Sequence, residues 1–454
     1  MPIYHHRSTI ADATPEILFA WHERPGAFRR LTPPWDPVRV LDRSGEGLGV
    51  GVELQLEVRV GPAPVRWTAV HTRCEPPQGF TDEARSGPFR RWVHHHRFTS
   101  AAGGALLEDE IEWEAPLGGL GAALGRVERR LERVFDFRHR RTRDDLSRHI
   151  RCWDRPRLRV LISGSSGLIG RELTAFLDAG GHEVIPLVRS RDRPGVYASF
   201  SEGILDPAEL EGFDAVIHLA GAPIATERWS DARREVIRRS RIDSTALLAR
   251  TLASLSDPPE VFISGSAVGV YGDSGDAVCT EEASAGDTFL AGVCTEWEAA
   301  ARPAQEAGIR VVYLRTGLVL SGWGGMLGLM VPLFQAGLGG RLGSGRQQQA
   351  WIHLDDHLGL VHEILFDPRY RGPINATAPS PVRQSELAGA LGRVLHRPAL
   401  APTPAAALRL ALGRRKADEL VLQGQRAVPA AAEALGFSWL YPELEPALAH
   451  ALGR

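Results

Sequence analysis

Three glycines, Gly164, Gly167 and Gly170, stand three residues apart in the run Gly-Ser-Ser-Gly-Leu-Ile-Gly. Glycine at that spacing suits a phosphate cradle. Gly164 allows a tight turn, Gly167 lets backbone approach a pyrophosphate, and Gly170 lets a helix pack closely on a strand. The flanks support this. Leu158-Arg-Val-Leu-Ile-Ser163 is a short apolar strand, and Leu173, Phe176 and Leu177 mark one face of a helix that follows. That helix offers free N–H groups and a positive dipole end to phosphates. The loop from Gly164 through Ser166, Gly167, Leu168 and Ile169 to Gly170 is therefore expected to hold a dinucleotide. At the end of the next strand, His182–Arg189, an NAD-preferring protein carries Asp or Glu for the ribose 2′-hydroxyl. This chain has Arg189, followed by Arg191 and Arg193. A guanidinium pairs bidentately with a 2′-phosphate, which a carboxylate would repel. NADP(H) is the expected cofactor.

Other reactive groups are sparser. The four cysteines, Cys74, Cys152, Cys279 and Cys294, show no Cys-x-x-Cys spacing, which fits a reducing compartment. His94 and His96 share a strand face and could offer two metal ligands. A third at suitable spacing is not evident, so no metal is expected. The one basic run, Arg138 to Arg143, sits at the end of an expected helix, where cations suit the dipole. A net charge of −2 gives no long-range pull toward nucleic acid or anionic membrane. The first residues lack an apolar signal core, and no run of about 20 apolar residues spans a membrane. The expectation is a cytoplasmic protein with a small-molecule substrate, no nucleic-acid partner and no membrane partner.

The 454 residues are enough for two or three domains. Residues 1–150 read as antiparallel strands around one early helix and one long late helix. Val52, Leu54, Leu56, Val58 and Val60 alternate with polar residues. Glu108, Glu110, Glu112 and Glu114 share one face of a strand, and Trp92, His94, His96 and Phe98 one face of another. Leu124, Val127, Leu131, Val134 and Phe135 form a helical stripe. Cys152–Arg157 breaks the pattern and is the expected boundary. From there, strands at Asp214–Gly221, Glu260–Ser266 and Arg310–Gly317 alternate with helices at Asp231–Leu255 and Thr295–Glu306, as parallel α/β folds do. After Asn375 the chain turns rich in Ala, Leu and Pro. Residues 157–375 are expected to form the nucleotide domain and 376–454 a small helical one.

The order of elements in the first 150 residues resembles the helix-grip fold of the polyketide cyclase and START-like (SRPBCC) superfamily. That resemblance implies an α+β domain with a cavity for an apolar ligand between sheet and helix, near Trp67, Trp92, Phe98 and Trp113. The second half resembles the extended short-chain dehydrogenase/reductases, a doubly wound Rossmann fold. The match lies in Gly164–Gly170, His218-Leu-Ala-Gly221, Ser264–Gly272, Leu314-Arg-Thr-Gly317 and Trp351-Ile-His-Leu-Asp355. Ala220–Ile224, Ser240-Arg-Ile242 and Leu338–Arg346 are similar to its epimerase-like subfamily, whose members carry a short helical C-terminal domain. The resemblance places the cofactor ribose and nicotinamide along Leu219, Ala220, Gly221 and Ser266.

The family's chemistry uses a Tyr and a Lys four residues later, the lysine lowering the phenol pKa. If Glu298 holds the position four residues further on, Cys294 stands for the lysine and Leu290 for the tyrosine. Arg241 stands where a helix Asn is expected. Ser266 matches the serine that hydrogen-bonds the reacting oxygen, and Tyr271 is the nearest phenol that could replace the lost acid. The expected function is an NADP(H)-binding epimerase-like oxidoreductase relying on Ser266 and Tyr271. The alternative is a catalytically impaired NADP(H) sensor or regulatory protein.

Overall fold

Alternation of apolar and charged residues builds an antiparallel sheet in the first part of the chain. A computed structural model describes residues 2–115 and 121–454, the side chains of 121–124 excepted. Leu124 of the expected helical stripe thus lies outside the described side chains. The chain divides into two compact units, Met1–Arg157 with Thr174–His182 and Gly453, and Leu158–Leu173 with Glu183–Leu452 and Arg454.

In the first unit, β1 (Ile3–Ala11), β2 (Arg39–Arg43), β3 (Glu53–Val60), β4 (Ala63–Glu75), β5 (Gly79–Ser86), β6 (Arg91–Ala101) and β7 (Gly104–Glu114) form one sheet. Its order is β1-β7-β6-β5-β4-β3-β2, with every pair antiparallel. Two short helices, α1 (Pro15–Glu23) and α2 (Pro25–Arg30), follow β1, and the long α3 (Gly121–His149) follows β7. Thr14 caps α1 by accepting from the Ile17 N–H, and Pro15 stands in its first turn. Burial alternates strictly along β7: Ala105, Leu107, Asp109, Ile111 and Trp113 are buried, and the glutamates lie on the other face. Leu131 and Phe135 of α3 are buried, and Phe135 meets Tyr4 of β1 with ring centroids 5.7 Å apart. The aromatic residues pack on one another, Trp67, Phe89, Trp92 and Trp113 in one group and Phe19, Phe80 and Phe98 in a second.

In the second unit, near-continuous apolar runs make the central strands of a parallel sheet, because helices cover both faces. Val160–Ile162, Ala215–Ile217 and Val261–Ile263 are all essentially inaccessible. The strands β8 (Arg159–Ser163), β9 (Glu183–Val188), β10 (Val196–Ser199), β11 (Ile204–Leu205), β12 (Ala215–His218) and β13 (Val261–Ala267) are joined by Arg310–Thr316 and Gly372–Ala376. The order is β11-β10-β9-β8-β12-β13, then Arg310–Thr316 and Gly372–Ala376. Only the edge strand β11 runs antiparallel. From β8 the chain winds outward through β9 and β10, then crosses back to β12 on the other side. The switch point between β8 and β12 is where doubly wound sheets bind ligands.

Helices α4 (Leu168–Ala179), α5 (Asp231–Ala253) and α6 (Phe289–Ala300) fall between strands. The sequence pattern starts the last of these at Thr295; it begins earlier because Thr288 caps it, accepting from the Ala291 N–H. The C-terminal helices Gln384–Leu395 and Leu444–Leu452 share a core with Leu320, Phe334 and Trp351. Among the described residues no helix is long and apolar enough to cross a membrane.

Candidate functional site

The loop after β8 is built from backbone that only glycine accommodates. Gly164 has φ +73°, and a Cβ there would come within 2.9 Å of the Leu219 and Ala220 backbone on the neighbouring strand end. A Cβ on Gly170 would stand 2.2 Å from the Gly164 carbonyl oxygen and 2.8 Å from the Ser165 Cα. Helix α4 can therefore begin directly beneath the loop only because residue 170 has no side chain. The Gly167 N–H donates to the Gly164 carbonyl at 2.9 Å and closes the turn. A Cβ on Gly167 would meet only that same oxygen, at 3.2 Å, so the space on that side is otherwise open. These three glycines fit a pyrophosphate approached by main-chain N–H groups at the start of α4.

The strand ends beside this loop are tied by a buried histidine. His218 Nδ1 lies 2.5 Å from Ser163 Oγ, and its Nε2 lies 2.9 Å from Ser244 Oγ on α5. Burial pushes His218 down to about 4, so it is neutral at ordinary pH and bridges β8, β12 and α5. The Ala220 N–H donates to Ser163 Oγ at 3.3 Å, which sets the backbone of Leu219, Ala220 and Gly221 at the sheet's C-terminal edge. The guanidinium of Arg241 lies against Gly221 and donates to the carbonyls of Ala222 and Ile237. Arg189 follows directly on β9 and is exposed; among the described residues no hydrogen bond or ion pair holds its guanidinium. Arg191 is stacked over the Tyr197 ring at 4.1 Å. Of the three arginines, Arg189 is the one directly at the strand end.

Ser266 and Tyr271 belong to one buried network rather than standing as two free hydroxyls. Ser266 Oγ donates to Glu298 Oε1 at 2.7 Å. Glu298 is held by Arg315 in a two-pronged ion pair, both contacts 2.8 Å. The remaining Arg315 nitrogen donates to the Tyr271 hydroxyl at 3.0 Å and to the Glu281 carbonyl. The Tyr271 hydroxyl in turn donates to Asn375 Oδ1 at 2.7 Å. Both hydrogen-bonding positions of this phenol are filled, and the residue is 5% exposed. Burial raises its pKa, against the opposing pull of Arg315. Leu290 and Cys294 lie on α6, and burial pushes the Cys294 thiol up to about 12, leaving it protonated and inert.

Glu298 was visible in the sequence through its spacing, but its partner Arg315 and the anchor Asn375 were not. Arg315 sits inside the Leu-Arg-Thr-Gly run quoted above, and an arginine in the middle of an apolar strand is a signal for a buried ion pair.

Known proteins match this arrangement along the chain. Residues 160–373 match the NAD dependent epimerase/dehydratase family, residues 11–136 the polyketide cyclase / dehydrase and lipid transport family, and residues 403–451 a domain of unknown function (DUF1731). Epimerase family protein Mb2239 of Mycobacterium bovis is 44% identical over 297 residues, 65% of this chain and 98% of that protein. A solved structure described as the nucleoside-diphosphate sugar epimerase from Corynebacterium glutamicum shares 35% identity. It covers 99% of this chain and 90% of its own, with a TM-score of 0.79. The human epimerase family protein SDR39U1, solved with NADPH, shares 35% identity over 65% of this chain and 99% of its own, with a TM-score of 0.61. A Rossmann sheet with this glycine loop, preceded by a polyketide cyclase-type domain, places the chain in the NAD-dependent epimerase/dehydratase family.

Proposed function

We propose that the protein binds NADP(H) and acts as an epimerase-like oxidoreductase of the extended short-chain type on a small-molecule substrate. The observation that carries this is the glycine cradle at the sheet's switch point, with the exposed Arg189 at the next strand end. Main chain from Gly164 and Ser166 through Gly167, Leu168, Ile169 and Gly170 holds the pyrophosphate, and Arg189 pairs with the 2′-phosphate. Leu219, Ala220, Gly221 and Ser266 border the path of the ribose and nicotinamide. The human relative solved with NADPH supports the cofactor choice. Bound nicotinamide supplies a carbon that accepts or returns a hydride. Ser266 contributes a hydroxyl oriented by Glu298, and Tyr271 braces Arg315 behind that carboxylate. Residues 1–150, 157–375 and 376–454 then act as ligand-binding, nucleotide-binding and capping parts.

A second reading, an NADP(H) sensor with impaired chemistry, is supported by the inert Cys294 thiol, taken with the resemblance that sets Leu290 and Cys294 at the tyrosine and lysine positions. Single-turnover NADPH oxidation over a panel of carbonyl compounds separates the two. Slow wild-type oxidation is expected, because a positioned proton donor normally contributes 10²–10⁴-fold. Ser266→Ala and Tyr271→Phe should slow it further. Fast turnover untouched by either substitution would put the acid elsewhere. No turnover in any variant, beside tight NADPH binding, would establish the sensor.

A further inference from the structure

The first unit buries a cluster of histidines and aspartates that the nucleotide site does not use. Strand register brings it together. Asp82 of β5 pairs with His94 of β6, and His96 of β6 pairs with Asp109 of β7. All four side chains project from the same face of the sheet. His94 and Asp109 are 4% and 3% exposed, whereas Asp82 and His96 keep a little contact with solvent.

The four groups make two kinds of contact. On one side, Asp109 Oδ1 lies 2.8 Å from His94 Nε2 and 2.8 Å from His96 Nδ1, ordinary hydrogen bonds. Asp109 Oδ2 lies 2.6 Å from His139 Nε2, and Ser8 Oγ is 2.8 Å from His139 Nδ1. On the other side, Asp82 Oδ2 faces His94 Nδ1 at 3.3 Å and His96 Nε2 at 3.4 Å, too long for good hydrogen bonds. Those separations match a different geometry. Donor atoms about 2.0–2.1 Å from a tetrahedral ion stand about 3.3 Å apart. The tautomers that satisfy Asp109 carry their protons on His94 Nε2 and His96 Nδ1. With both imidazoles neutral, their two remaining lone pairs and one carboxylate oxygen converge within 4.8 Å of one another. A divalent cation satisfies three atoms so placed, and protonated imidazoles are the competing state.

We propose that Asp82, His94 and His96 form a divalent transition-metal site, with Asp109 orienting both histidines from behind and His139 and Ser8 holding Asp109. A carboxylate receiving the second N–H of each ligating histidine is the usual outer partner of such sites. Two histidines and one carboxylate suit Zn²⁺ or Fe²⁺ and leave at least one position for water or an oxygen donor. The expectation of no metal rested on finding only two histidines; the third donor arrives from the neighbouring strand. The site is independent of the nucleotide reading, because every residue in it belongs to the first unit.

The test is titration of the full-length chain, stripped of metal by chelation, with Co²⁺ followed by visible absorption and with Zn²⁺ followed by calorimetry. One equivalent of each should bind, Co²⁺ with ligand-field bands. Asp82→Asn and His96→Gln should remove that equivalent, and Asp109→Asn should weaken it about 10- to 100-fold. Glu110→Gln should leave it intact. That residue serves the half-buried groups with His5 and Glu108 and with His95 and Glu112, where adventitious metal would collect. Asp82 is the least buried ligand, so Asp82→Asn keeps the test meaningful if the histidine variants fail to fold. Stoichiometric Zn²⁺ should also raise the unfolding temperature of wild type and not of Asp82→Asn. No tight equivalent in wild type, or the same equivalent in folded Asp82→Asn, overturns the site. So does loss of binding in Glu110→Gln alone. Those results would leave an imidazolium pair clamped between two aspartates.

Discussion

Glu298→Ala is expected to destabilise the second unit by about 3–5 kcal/mol, measured by urea unfolding without added nucleotide. The magnitude follows from what the substitution leaves behind. The side chains of Glu298 and Arg315 are only 14% and 10% exposed, and the carboxylate also receives the Ser266 hydroxyl. Removing it strands a buried guanidinium, whose remaining partners, Tyr271 and the Glu281 carbonyl, are neutral. Replacing both partners with apolar residues of similar size, Glu298→Leu with Arg315→Met, should recover much of the loss, because the desolvation cost disappears with the charges. A loss below about 1 kcal/mol for Glu298→Ala would show a pair as weak as an exposed one.

Gly170→Val should reduce NADPH affinity by about 10²–10⁴-fold. The added Cβ meets backbone, not a flexible side chain: the Gly164 carbonyl at 2.2 Å and the Ser165 Cα at 2.8 Å. The loop itself must move away from the start of α4. Losing two charge-assisted contacts to phosphate, each worth about 1.5–3 kcal/mol, gives that range. Gly167→Ala separates ligand approach from folding. Its Cβ meets only the Gly164 oxygen at 3.2 Å, so the fold should survive while affinity falls. A folded Gly170→Val protein with wild-type affinity would mean that the loop does not carry the phosphates.

The nucleotide half was legible because its signals are local. A strand, three glycines and a helix face all lie within Leu158–Leu177. The alternation in Leu107–Glu114 and Trp92–Phe98 likewise located β7 and β6 and sorted their faces. What stayed hidden depends on partners far apart in the chain. Glu298 needs Arg315, and Tyr271 needs Asn375, 104 positions away. Asp109 carries a local signal of its own. Strict alternation puts it on the buried face with Leu107 and Ile111, where a lone carboxylate demands partners. Those partners lie on β6 and α3, and Asp82 completes the group from β5. Cross-strand register, not composition, decides which polar residues meet there.

Calorimetric titration of NADPH and NADH into the full-length protein tests the nucleotide site most directly. Wild type should bind NADPH about 10- to 150-fold more tightly, the value of one bidentate charge-assisted contact to the 2′-phosphate. Arg189→Ala should remove most of that preference while leaving NADH affinity unchanged. Equal affinities for the two nucleotides in wild type, or unchanged NADPH affinity in Arg189→Ala, would contradict the assignment of Arg189.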